Sequence, residues 1–112
     1  MGLSVFVKIE TAAGYVERLA EYKLLRRDYD THVLHEADVE AGNKSVALSM
    51  GPVKTAQLVY IETDKPITVA RNNSVQRDSV DSLYFMVGCE ITALNVVAPD
   101  GAHLKVFVAG LA

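Results

Sequence analysis

The side chains best suited to chemistry cluster at His32-Val33-Leu34-His35-Glu36, with Asp38 two residues further on. Imidazole and carboxylate together are donors that hold divalent metals when they converge. Spacing decides whether they do. On a strand His32 and His35 point to opposite sides, so they could share an ion only on a helix or in a loop. A solvated surface is the expected setting for both, and for His103. The His-x-His pair with a later Glu and a further His, as used by metal-dependent jelly-roll enzymes, is absent.

Other reactive arrangements are equally sparse. The single thiol, Cys89, follows Phe85-Met86-Val87-Gly88 and precedes Ile91 at two residues' distance, the setting of a buried strand end. No basic neighbour is present to lower its pKa, and a lone cysteine excludes an internal disulfide. There is no Gly-x-Ser-x-Gly elbow and no glycine-rich phosphate loop among the seven glycines. Glu36 with Asp38, and Asp78 with Asp81, could be imagined as acid and base but are expected to be solvated charge. Asn43-Lys44-Ser45 and Asn72-Asn73-Ser74 read as turns. No catalytic, cofactor-binding or metal-binding residue is assigned, no cofactor is implied, and no enzymatic activity is expected.

Charge narrows the partners further. Eleven Lys and Arg against fourteen Asp and Glu give a net charge of −3, too little positive charge to neutralise a row of phosphates, so nucleic acid is not an expected partner. No apolar run approaches the roughly 18 residues of a membrane span, and the first ten residues lack the pattern of a secretory signal. The expectation is a soluble chain made in the cytoplasm, with no membrane partner.

The elements that must position these residues are strands. Sixteen Val, four Ile and six Thr make nearly a quarter of the 112 residues β-branched, and their stiff χ1 suits a pleated surface. Alternation predicts strands over residues 3–9, 45–50, 57–62, 67–71, 83–88, 91–98 and 103–109. The last two should form a hairpin around Pro99-Asp100-Gly101, and 57–62 with 67–71 a second unit around Thr63-Asp64-Lys65-Pro66. Residues 83–88, apolar on both parities, read as a strand covered on both sides and therefore central or inside a sandwich. Residues 15–30 read as a strand, with a short helix within 15–27 as the competing reading.

Short connections and the lack of intervening helices point to one all-β domain over residues 1–112. The architecture expected is an antiparallel β-sandwich or jelly-roll-like barrel. Such a small domain leaves strand edges whose unpaired backbone groups invite another chain, so assembly into a homo-oligomer is expected. The end of the chain, Val106-Phe107-Val108-Ala109-Gly110-Leu111-Ala112, is apolar throughout and should be docked in a sheet or against a neighbour.

Leu58-Val59-Tyr60-Ile61-Glu62-Thr63-Asp64-Lys65-Pro66-Ile67-Thr68-Val69, followed by Asn72, resembles a stretch in small β-sandwich virion proteins of tailed bacteriophages. With the C-terminal strands, the resemblance spans about residues 57–109. It implies a non-enzymatic particle component, a capsid decoration or a tail or neck accessory, made in the bacterial cytoplasm and located in the virion. Its partners would be major capsid or tail subunits. The alternative is a small ligand- or glycan-binding module, with Tyr15, Tyr22, Tyr29, Tyr60 or Tyr84 as stacking platforms.

Overall fold

The computed structural model describes residues 2–10 and 18–112, with side chains from residue 29 onward. Ten strands and no helix occur among the described residues: β1 (Gly2–Glu10), β2 (Arg18–Asp28), β3 (Thr31–Val39), β4 (Val46–Ala47), β5 (Thr55–Thr63), β6 (Ile67–Arg71), β7 (Asp78–Val80), β8 (Leu83–Ile91), β9 (Leu94–Val97) and β10 (Ala102–Leu111). β1 and β2 form an antiparallel ladder of their own, with Val5 opposite Leu25, Val7 opposite Tyr22 and Ile9 opposite Ala20. This ladder is hydrogen-bonded to neither of the larger sheets. Residues 15–17 lie outside the described residues, and 18–28 take the strand reading over the helical one.

The other eight strands form two antiparallel four-stranded sheets, packed together as a sandwich. Sheet I has the order β3-β10-β5-β8, and sheet II the order β4-β9-β6-β7. Their pairing is nested: β3 with β10, β4 with β9, β5 with β8, β6 with β7. The chain is thus a long ribbon doubled back at the β6–β7 turn, then rolled so that β10 also meets β5 and β9 also meets β6. That is the topology of a jelly roll. At the fold-back, Asn72 and Asn73 both take positive φ (53° and 58°), and the Ser74 amide donates to the Arg71 carbonyl at 2.9 Å. Asparagine tolerates this left-handed geometry where a β-branched residue would not.

One face of each sheet supplies the core. Val59 and Ile61 of β5, Tyr84 and Ile91 of β8, and Leu104, Val106 and Val108 of β10 meet Ile67 and Val69 of β6, Val80 of β7 and Leu94 and Val96 of β9. Burying each such aliphatic side chain contributes about 1.5–3 kcal/mol before chain entropy is charged against it. No polar or charged side chain is buried among the described residues.

Two sequence expectations are corrected. The chain between residues 91 and 109 is no hairpin: β8 ends at Ile91 in sheet I, β9 begins at Leu94 in sheet II, and β10 returns to sheet I. The Pro99-Asp100-Gly101 reversal exists, with Gly101 at φ 77° and its amide donating to Ala98 O at 3.0 Å, but it carries the chain from one sheet to the other. The turn at residues 63–66 also joins strands of different sheets. An arch between sheets and a hairpin within one both need a tight turn and one apolar face per strand, so alternation does not distinguish them. The second correction concerns the central placement of residues 83–88, which lie in the sandwich but in its edge strand β8. β10 and β5 are the central strands of sheet I.

Candidate functional site

The outer face of sheet I explains why β8 is apolar on both parities. The registers align four cross-strand rows on it. The first is His32, Ala109, Leu58 and Val87; the second is Leu34, Phe107, Tyr60 and Phe85. The third is Glu36, Lys105, Glu62 and Leu83, and the fourth pairs Asp38 with His103. Directly opposed side chains on one face lie about 5 Å apart, so each row is a line of contacts. Half of this face is apolar and half is charged.

The apolar half forms a second cluster, separate from the interior. Tyr29, Leu58 and Ala109 are buried in it, with Phe85, Val87 and Phe107 packed against them and partly exposed. Tyr60 and Phe85 meet edge to face with centroids 6.2 Å apart, and the His32 ring lies 5.9 Å from that of Phe107. At the β3 end of the second row Leu34 is 65 % exposed.

The charged half is organised by His103. Its Nδ1 lies 2.6 Å from Asp38 Oδ1 and its Nε2 3.0 Å from Glu36 Oε1, while its backbone amide donates to Asp64 Oδ1 at 2.8 Å. The hydrogen bond to Asp38, then that to Glu36, hold the imidazolium form and raise its pKa to about 9. Glu36 responds in the opposite sense: the His103 hydrogen bond, then its charge, lower the carboxyl pKa. Lys105, flanked in register by Glu36 and Glu62, comes within 4.0 Å of Glu62. The Tyr60 hydroxyl donates to Glu62, and that bond chiefly raises the phenol pKa. The depression between Glu36, Glu62, Asp64, Ser82, His103 and Lys105 is shallow, about 460 Å³.

The sequence candidates are distributed as follows. His32 is on the outer side of β3, and His35 on the other, its Nε2 2.9 Å from Ser49 O. Glu36 and Asp38 converge on His103, a partner that spacing did not reveal because it lies 65 residues beyond Asp38. With both ring nitrogens of His103 engaged by carboxylates, the trio is an ion-pair cluster, and no group of three metal-type side chains converges on one ion position among the described residues. Asp78 accepts from the Tyr84 hydroxyl at 3.2 Å and lies 3.7 Å from Arg71. Cys89 packs on the core, its thiol 3.5 Å from Ala56 O and its pKa raised by burial. Of the tyrosines, Tyr29 and Tyr84 are buried and Tyr60 lies partly exposed in the second row. Tyr15 lies outside the described residues, and Tyr22 is in a strand described by its backbone alone.

A larger recess of about 550 Å³ opens between β6 and β8, lined among others by Arg71, Asp78, Met86, Cys89 and Glu90. Its polar groups satisfy one another: Arg71 reaches Asp78 and the Met86 sulfur at 3.5 Å, and Asn72 is tied to Glu90 O and to Thr92. Comparison with protein-family models, with curated proteins and with solved structures gave no match.

Proposed function

We propose that this chain is a non-enzymatic structural subunit whose work is done by packing against neighbouring chains. The observation that carries this reading is the outer face of sheet I. A row of Leu34, Phe107, Tyr60 and Phe85 crosses all four strands and borders a charged strip. A partly exposed apolar patch bordered by charged side chains is the kind of surface that marks a protein–protein contact. Reactive side chains on the same face are engaged with one another, and burial of Tyr29 and Tyr84 removes two of the tyrosines that a glycan-stacking module would use.

The host assembly we propose is a tailed-phage particle, with the chain as a capsid decoration or a tail or neck accessory subunit contacting major capsid or tail subunits. Support for this comes from the resemblance over residues 57–109 and from the jelly-roll topology, an architecture frequent in viral capsid domains. Topology alone does not set function, so the particle must be examined directly. Quantitative mass spectrometry of purified particles is expected to find the chain at a fixed ratio to the major capsid or tail protein. Its confinement to the soluble fraction of the lysate would dispose of the particle reading.

A further inference from the structure

Four strands bound the two sheets, and three of them are poor templates for another chain. β4 has two residues and β7 three. β8 is longer, but its register with β5 is broken between Ala56 and Leu58, and Gly88 turns through φ 70°. Short length and bulges are common means of blunting an edge. β3 has neither. Its nine residues pair with β10 one for one from Thr31 to Val39 without a register shift, and it contains no Pro, Gly or Lys. β10 is its one ladder partner among the described residues, so one side of its backbone presents a regular row of amides and carbonyls.

We propose that β3 pairs antiparallel with β3 of a second copy about a twofold axis at Leu34, joining two copies of sheet I into one eight-stranded sheet. Self-complementarity selects this occupant and this register. An axis at Leu34 sets Leu34 against its twin and His32 of each copy against Glu36 of the other, an imidazole facing a carboxylate across the seam. The exposed end of the second row is thereby covered, and two rows of Leu34, Phe107, Tyr60 and Phe85 become one continuous apolar line. An axis at His35 would put Leu34 against Glu36 and interrupt that line. The proposal rests on the chain's being an assembly subunit, but not on which assembly it joins.

Light scattering on the full-length chain at about 100 µM tests it. The expected mass is twice 12.2 kDa, falling to that of one chain in Leu34→Lys, which places two ammonium groups across the axis on a position that folding does not bury. Glu36→Lys is expected to weaken the dimer, and adding His32→Glu to restore it. In a Cys89→Ala background, Leu34→Cys is expected to oxidise to a disulfide-linked dimer, since opposed residues lie about 5 Å apart. His32→Cys should not, because its twin would be about 13 Å away along the strands. A monomeric wild type, a Leu34→Lys dimer, or equal cross-linking at 32 and 34 overturns the pairing. A β3-linked dimer missing from particles overturns the particle reading alone, and a monomer bound to particles overturns the edge pairing alone.

Discussion

Two positions on sheet I, His103 and Gly110, carry consequences set by their immediate neighbours. His103 is held between Asp38 and Glu36, so its imidazole should keep its proton to about pH 9. Because that pKa is raised above the ordinary 6.5, the stability it contributes is fully present below pH 6.5 and is lost as pH rises through about 9. For Glu36 the sign reverses: its lowered pKa gives a contribution present above the ordinary 4.5 and lost as pH falls through the depressed value. The trio is exposed and its energy is screened by salt. The test is NMR titration of the His103 ring in the full chain. A midpoint near 9, moving toward 6.5 in Asp38→Asn, is expected, and a midpoint near 6.5 in the wild type removes the ion-pair cluster. Gly110 is constrained differently. A Cβ there would sit 2.0 Å from Thr55 O, 2.9 Å from Gln57 N and 3.0 Å from Ala56 Cα, all backbone atoms at the bulged part of β5, so the backbone itself would have to shift. Gly110→Ala should therefore destabilise the chain by about 1–3 kcal/mol or more, read from urea unfolding. An unchanged midpoint would mean that the strands separate there at no cost.

At the scale of elements, β10 separates folding from association, because its alternate residues face two different apolar clusters. Val106 lies fully buried between the sheets, while its neighbour Phe107 belongs to the outer row. Val106→Asp puts a carboxylate into a core with no partner and is expected to unfold the domain at several kcal/mol. Phe107→Asp should leave circular dichroism native and abolish contact with whatever chain covers that face, measured by light scattering or by recovery in particles. Equal loss of fold in both variants would mean that the outer cluster is as structural as the inner one. The alternation of β10 was legible in the sequence, as were most strands, because one buried face per strand forces a period of two. Pairing was not legible. The turn at Pro99-Asp100-Gly101 looks the same whether its strands lie side by side or in opposite sheets, and the double parity of residues 83–88 gave no sign that its second face was an outer cluster on an edge strand. β3, with His, Glu and Asp at alternate positions, carried too weak an apolar pattern to stand out. For the same reason the meeting of Glu36 and Asp38 with His103 could be found only once register was fixed.

For the whole molecule, nesting determines how folding can proceed. Within the two four-stranded sheets only β6 and β7 are both consecutive and paired; β5 must find β8, β4 must find β9, and β3 must wait for β10, the last of the eight strands in the nest. Each later pairing closes a longer loop, and loop closure costs entropy before the contacts it allows can repay it. β10 is also central in sheet I, bonded on both sides, so without it β3 loses its one ladder partner among the described residues and β5 loses one of two. The apolar end of the chain that the sequence marked as docked is thus a strand on which the sheet depends. Two outcomes are expected from this. Refolding monitored by stopped-flow fluorescence of the tyrosines should be slow for 112 residues, on the order of milliseconds to seconds. A chain ending at residue 101 should show no cooperative thermal transition, since removing β10 exposes the inner faces of β5 and of sheet II together. Microsecond refolding, or a cooperative melt in the shortened chain, would show that the β6–β7 ribbon holds its structure without the strand that closes it, and the nested order would then not govern stability.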